Sequence, residues 1–335
     1  MVSRPATKMF YTVAGRTVLI EAYDAWSIHA VSNLFSGWFL NSISIDDADT
    51  CEATIRVHCG VSPPTIPSGL TSFEIAHGGT CHTDNQSFYI EIQGSLVFFA
   101  ADKPVADLWV KEPYDIAAPI VAQLLSQALS PTLRRCQVFE IHSAAVVSPH
   151  SDGAVMITGP SGSGKSTLTS LLASCGWRYL SDDTLLLREA DQNIEVVALR
   201  RFFALTVATI AAAKIQSSGV VRSAKERITP QDHFSSTQVQ TATPRAIFFT
   251  SVAPEQSSRA VPLTAKESMM RLLRLCPWAS YDKPTSVAHL GVLGRLANST
   301  AAFQLYAGAD LLERPSRAEQ LIHSVFSETA LSYGT

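Results

Sequence analysis

Gly159-Pro160-Ser161-Gly162-Ser163-Gly164-Lys165-Ser166 fills the G-x-x-x-x-G-K-[ST] template of a phosphate-binding loop. Glycines let a backbone turn tightly, so that successive N–H groups point at one anion with no Cβ in the way. A helix N-terminus behind the loop adds unsatisfied donors and a partial positive charge. Lys165 can then reach the β- and γ-phosphate oxygens of a nucleotide, and the Ser166 hydroxyl can take a place on Mg²⁺. The residues expected to hold the nucleotide are therefore Gly159, Pro160, Ser161, Gly162, Ser163, Gly164, Lys165, Ser166 and Thr167. The alternative is a Gly/Ser-rich turn that matches by chance. The flanks argue against it, because the motif needs a strand before it and a helix after it. Val155, Met156, Ile157 and Thr158 read as a short buried strand. Leu168, Leu171, Leu172 and Cys175 follow at helical spacing, with Gly176 where a C-terminal cap belongs.

A site of this kind also needs a carboxylate for the metal. Asp182-Asp183 comes one helix after the loop, at the end of a short strand over residues 177–180. Adjacent side chains on a strand end point in different directions, so one acid can coordinate Mg²⁺ while the other accepts a proton. Which does which stays open, and a pair of turn or capping aspartates is the plainer alternative. A cation should also neutralise the transferring group. Arg200 and Arg201 are the first choice; Arg222, Lys225 and Arg227 in the polar stretch 217–232 are the second. One of the five is expected to face the phosphates, with the others in surface ion pairs. His150 and His233 read as exposed loop residues.

The surrounding elements suggest two domains: an α+β module over 1–132 for recognition or assembly, and a phosphate-loop α/β domain over 133–335. In the first, residues 9–20 should form a hairpin turning at Ala14-Gly15-Arg16, with a helix over 24–35 ending before Gly37. Strands are expected near 41–45, 53–58, 73–76, 87–92 and 96–100, with a Pro/Ser/Gly loop over 62–69. A helix over 116–129 should end at Pro131. In the second domain the reading is strand 136–147, polar turn 148–153, strand 154–158, loop, helix 165–175 and strand 177–180. Strands follow at 184–187 and 194–199, with partial helix over 200–215 and a buried strand over 246–250 after Pro244. Helices over 266–275, 284–297 and 317–327 enclose a strand over 302–307. Asp46, Asp47 and Asp49 read as a solvated turn, and His58, His77 and His82 lack metal-ligand spacing.

Composition narrows the function classes. Hydrophobic residues make up 46% and charged residues 16%, which suits a globular chain. A net charge of −3 without any basic run gives no nucleic-acid footprint. The six cysteines contain no C-x-x-C pair and read as reduced thiols. With no signal-peptide pattern and no long apolar stretch, the expectation is a cytoplasmic protein without membrane partners.

The loop, the Gly176-Trp-Arg-Tyr-Leu-Ser-Asp-Asp183 stretch and His142 in Ile-His-Ser-Ala-Ala-Val-Val resemble the HPr kinase/phosphorylase family. The resemblance spans about residues 136–255 and implies ATP and Mg²⁺ as cofactors and a serine hydroxyl as acceptor. By motif position it implies Asp182 as base, Asp183 as metal ligand and His142 as their neighbour, with the reverse assignment of the acids equally open. It also raises the prospect of a homo-oligomer. The family's E-x-R-G-L-G stretch has no copy here; Glu195-Val-Val-Ala-Leu-Arg200-Arg201-Phe202 is the nearest material. That puts phosphorolysis and HPr itself in doubt. The pattern is similar to diverged kinases that modify a serine on precursor peptides, including those of lasso peptide clusters. The leading expectation is an ATP-dependent serine kinase for a peptide or small protein. A small-molecule hydroxyl kinase and a nucleotide-binding regulatory module without transfer are the alternatives.

Overall fold

The computed structural model describes residues 5–38, 40–44, 51–75, 78–149, 153–216 and 225–332. Asp46, Asp47, Asp49, His77, His150 and Arg222 lie outside the described residues. The protein is a mixed α/β chain with several sheets. It divides into two compact units, Met1–Phe139 with Trp278–His289, and Glu140–Pro277 with Leu290–Thr335.

In the first unit β1 (Thr7–Val13) and β2 (Arg16–Ala22) form the expected hairpin, turning through Ala14 at φ 50° and Gly15 at φ 76°. Helix α1 (Ala25–Ser36) is capped by Asp24, whose carboxylate accepts from the Ser27 N–H at 2.8 Å. The strands β3 (Asn41–Ile43), β4 (Ala53–Cys59), β5 (Thr71–Ile75), β6 (Gly79–Thr83), β7 (Ser87–Ile92), β8 (Ser95–Ala100) and β9 (Val105–Val110) complete one sheet. Its order is β3-β1-β2-β4-β9-β8-β7-β6-β5. Alternate residues such as Val18, Ile20, Ile55, Val57, Ala106 and Leu108 are fully buried, the period-two pattern of a sheet with one covered face. Helix α2 (Pro119–Arg135) packs Val121, Leu124, Leu125 and Ala128 inward.

The sequence reading missed β6 and β9. It also ended α2 at Pro131, whereas the helix continues through that proline to Arg135. The cause is tertiary. Arg135 Nη1 donates to the Pro131 carbonyl at 3.0 Å, and Arg134 and Arg135 both grip Asp282, with Nε and Nη1 at 2.8 and 3.0 Å. Asp282 is fully buried, on the short segment of the chain that returns to this unit. There α6 (Trp278–Tyr281) sets Tyr281 against Phe73 and Trp278 under the Arg134 guanidinium.

The second unit is built on a sheet with the path β10-β14-β15-β18-β12-β11-β13. Its strands are β10 (Phe139–Ile141), β11 (Ser143–Val147), β12 (Gly153–Thr158), β13 (Arg178–Ser181), β14 (Leu185–Ala190), β15 (Asn193–Ala198) and β18 (Thr241–Val252). A separate two-stranded ribbon pairs β16 (Phe203–Leu205) with β17 (Glu226–Ile228), and β19 (Arg259–Leu263) and β20 (Ala301–Ala307) extend the main sheet. β12, β18 and β20 run parallel, so their carboxyl ends lie together. Helix α3 (Lys165–Ser174) follows β12 and buries Leu168, Leu171 and Leu172 in a core with Trp177, Tyr179, Phe203 and Phe248. The remaining helices are α4 (Val207–Ala212), α5 (Ala265–Leu275), α7 (Lys283–Ser299), α8 (Asp310–Glu313) and α9 (Ser316–Ser332).

Three expectations are corrected here. The strand read over 136–147 is two strands: β10 stands beside β14, β11 lies between β12 and β13, and His142 is the link. Pro244 lies inside β18, where the register against β12 shifts between Ala154 and Val155 and lets the strand pass a residue with no N–H. The stretch 200–215 holds β16 as well as the helix α4, and β19 was not foreseen.

Removing one member of a buried ion pair strands the others without compensation, at about 3–5 kcal/mol. Asp282→Ala is therefore expected to lower stability by that order, read from the urea midpoint of the full chain. A loss below about 1 kcal/mol would put the cluster on a par with exposed pairs.

Candidate functional site

The loop between β12 and α3 has the backbone its glycines allow. Gly159 takes φ 154°, and a Cβ there would lie 2.7 Å from Ser163 Oγ and 2.9 Å from the Thr250 carbonyl. Gly164 caps α3 at φ 93°, in the left-handed region that other residues rarely enter. Ser163 Oγ is bonded to Thr250 Oγ1 at 3.0 Å, and Thr250 Oγ1 donates to the Thr158 carbonyl at 3.3 Å, so the end of β18 braces the loop. Lys165 is buried and curls back, its Nζ donating to the carbonyls of Gly159 at 2.9 Å and Pro160 at 3.0 Å. Two of three ammonium donors are thus used within the loop. Burial lowers the Lys165 pKa from its ordinary value, with Asp183 opposing the shift.

The two acids that follow β13 meet opposite fates. Asp182 is 1% exposed; its Oδ2 accepts from the Ala204 N–H at 3.0 Å, and Ser166 Oγ donates to its main-chain carbonyl at 3.4 Å. Burial pushes its carboxyl up to about 6. Asp183 instead faces a cleft of about 170 Å³ that Lys165, Ser166, Thr167 and His142 also line. Its Oδ1 lies 3.1 Å from His142 Nδ1, and its Oδ2 accepts from Arg200 Nη1 and, at 3.1 Å, from Thr184 Oγ1. Burial raises the Asp183 pKa, but Arg200 and His142 outweigh it and hold the carboxyl below its usual range. His142 is itself lowered by burial, against the pull of Asp183, which favours the neutral ring. Its Nε2 has no hydrogen-bond partner among the described residues.

Of the five candidate cations, Lys225 lines this cleft. Arg200 is spent on Asp183, and Arg227 stacks 3.9 Å from the centre of the Phe202 ring. Arg201 does not line the cleft, nor does His233, which is exposed. The far wall was not foreseen: Thr206, Thr209 and Ala204 line it, and Thr167 Oγ1 is bonded to Thr209 Oγ1 at 2.7 Å. These residues come from β16 and α4, and no local motif marks them.

The donors suit a triphosphate with Mg²⁺. A glycine-lined turn, a lysine with a donor to spare and a serine bonded to the main chain of a buried aspartate supply the required partners. Among the described residues no group of three His, Cys, Asp or Glu could hold a metal alone. Mg²⁺ would therefore rest on Ser166, one acid, phosphate oxygens and water, its usual mode at such sites. No helix among the described residues is long and apolar enough to cross a membrane.

The Asp182 shift fixes a sign. A carboxyl raised in the fold adds stability that is complete below the unfolded value near 3.8 and is lost as pH rises through about 6. Asp183, shifted downward, loses its contribution only at lower pH. In EDTA, Asp182→Asn should flatten the stability of the nucleotide-free chain between these limits, measured by urea unfolding at several pH values. An unchanged slope would mean that Asp182 titrates normally.

No family model matches the chain, and no curated protein matches it. Among solved structures, the HPr(Ser) kinase/phosphatase from Coxiella burnetii overlays 57% of this chain and 98% of its own, at 13% identity and a TM-score of 0.34. So distant a likeness carries no argument about chemistry, which must come from the site itself.

Proposed function

We propose that the chain is an ATP-dependent phosphotransferase that moves the γ-phosphoryl group to a hydroxyl, with a serine of a peptide or small protein as acceptor. The observation that carries this reading is one cleft holding Lys165, Ser166 and the His142–Asp183 pair. A protein that only binds nucleotide needs the first two and has no use for a proton acceptor.

The residues divide the work as follows. The N–H groups of the loop and the start of α3 bind the phosphates, and Lys165 directs its remaining donor to them. Mg²⁺, when bound, would supply positive charge against the phosphates. Ser166 and Asp182 would hold it: Asp182 is buried, the Ser166 hydroxyl reaches its main-chain carbonyl, and its carboxylate accepts from the Ala204 N–H. Of the two assignments left open by the sequence, the geometry favours Asp182 on the metal side and Asp183 on the acceptor side. Asp183 orients His142 through Nδ1, and neutral Nε2 takes the hydroxyl proton as transfer proceeds. Lys225 adds positive charge on the cleft wall.

Lys165→Ala should lose ATP affinity and turnover together, since it removes contacts made before and during transfer. His142→Gln should bind ATP yet transfer about 10²- to 10⁴-fold more slowly, the usual worth of a positioned base. It should also lose the acid limb that the wild type shows as His142 protonates below its ordinary range. Radiolabelled transfer to serine peptides across pH tests both. ATP hydrolysis indifferent to every hydroxyl acceptor would favour a nucleotide-responsive module.

A further inference from the structure

A second hollow, of about 370 Å³, lies against the first two residues of the loop, Gly159 and Pro160. Its other walls are the carboxyl end of β18, Gln304 on β20, and Arg271 and Arg274 on α5. Carboxyl ends of parallel strands are where open α/β sheets bind ligands. Apart from Gly159, Pro160 and Thr250, no residue that lines it enters the nucleotide chemistry above.

Gln304 is the informative residue. It is 7% exposed in a strand where Ala302, Phe303 and Leu305 are also buried, and a polar amide there is costly unless fully bonded. Its Nε2 donates to Ser251 Oγ at 3.0 Å and to the Leu305 carbonyl at 3.3 Å, and its Oε1 accepts from Arg271 Nη1 at 2.5 Å. The Arg271 guanidinium also sits 5.6 Å from the centre of the Phe249 ring. A neutral amide and an aromatic face thus fix this arginine in place without neutralising it. Glu267, one turn back on α5, has its carboxylate bonded to the Thr264 N–H and hydroxyl in a capping box. Arg274, three residues on and therefore on the same face of α5, is exposed and has no carboxylate in salt-bridge range among the described residues. Two guanidinium groups consequently border the hollow; Arg271 feels Glu267 one turn back, and Arg274 has no carboxylate against it among the described residues. Guanidinium presents paired N–H donors that match the two oxygens of a carboxylate or phosphate.

We propose that this hollow is an oxyanion subsite for the phosphoryl acceptor, whose hydroxyl is carried by a compound bearing a carboxylate or a phosphate group. The proposal rests on the phosphotransferase reading and names the acceptor class for it. Pro160 lines this hollow and Ser161 the nucleotide cleft, so the two meet across the first turn of the loop. An acceptor anchored by its anion on Arg271 and Arg274 would lie against the first turn of the loop.

The test is calorimetric binding to the full chain, with the non-hydrolysable analogue of ATP and Mg²⁺ present. The probes are N-acetylserine for a carboxylate, glycerol 3-phosphate for a phosphate, and N-acetylserinamide as the uncharged control. At least one anionic probe should bind, and the amide should bind at least tenfold more weakly. Arg271→Gln and Arg274→Gln should each weaken the anionic probe at least fivefold. Arg274 is exposed, so its variant is expected to fold even if Arg271→Gln does not. Which anion binds identifies the source. Equal binding of the amide, no binding of either anion, or full affinity in Arg274→Gln and in folded Arg271→Gln overturns the subsite. Binding of the nucleotide analogue, read first in the same wild-type sample, separates the two claims. Its absence counts against the phosphotransferase, whereas nucleotide binding without anion binding counts against the subsite alone.

Discussion

Two aspartates that are neighbours in the chain cannot share an environment where a strand runs out, and this site is organised by that constraint. Both lie in the bend that follows β13, where their side chains part: Asp182 enters the interior and Asp183 the cleft. A buried carboxylate needs a donor, and the Ala204 N–H of β16 provides it. The short β16–β17 ribbon is thereby tied to the acids, and β17 follows directly on Lys225 at the cleft wall. The arrangement of the cleft follows from satisfying one interior carboxyl group.

What the sequence disclosed was local. The glycine pattern, Lys165 and the twin acids carry their chemistry in a few consecutive residues, and the elements on either side, β12 and α3, follow from apolar spacing. The hairpin at Ala14-Gly15 and the capped α1 were legible for the same reason. What stayed hidden depends on residues far apart. Pro131 does not stop α2 because Asp282, distant in sequence, holds the two arginines of its last turn. Pro244 is tolerated in β18 because a register shift against β12 absorbs it. The role of β16 could not be read from Phe203–Leu205, since the carboxylate it serves lies on another strand. Which acid is buried and which lines the cleft depends on the bend after β13, which no local pattern reveals.

The loop is held by contacts within the protein that a phosphate would exchange or extend. Lys165 rests on the carbonyls of Gly159 and Pro160, and Ser163 is braced by Thr250. A buried ammonium without such partners would be costly. These bonds keep it at the base of the loop with a donor in reserve, so less ordering remains when an anion arrives. The same economy holds for Asp183, whose oxygens are already engaged by Arg200, His142 and Thr184. His142 is fixed at one nitrogen and, among the described residues, has no partner at the other, the arrangement a proton acceptor requires.

The chain also contains a comparison that bears on the assignment of the acids. Asp282 and Asp182 are both wholly removed from solvent. Asp282 is gripped by two guanidinium groups, which compensate its charge and leave it a structural tie. Asp182 has one backbone N–H on its carboxylate and no cation in salt-bridge range among the described residues, and the help it draws from Ser166 and Arg200 does not offset its burial. Its carboxyl accordingly rises to about 6. A divalent cation beside Ser166 would make good that deficit, lower the same carboxyl and return the stability lost at neutral pH. Asp183 has no such deficit, since Arg200 already neutralises it. The imbalance at Asp182, present before any ligand arrives, is the physical ground on which the proposed function rests its choice of Asp182 for a metal and of the His142–Asp183 pair for proton transfer.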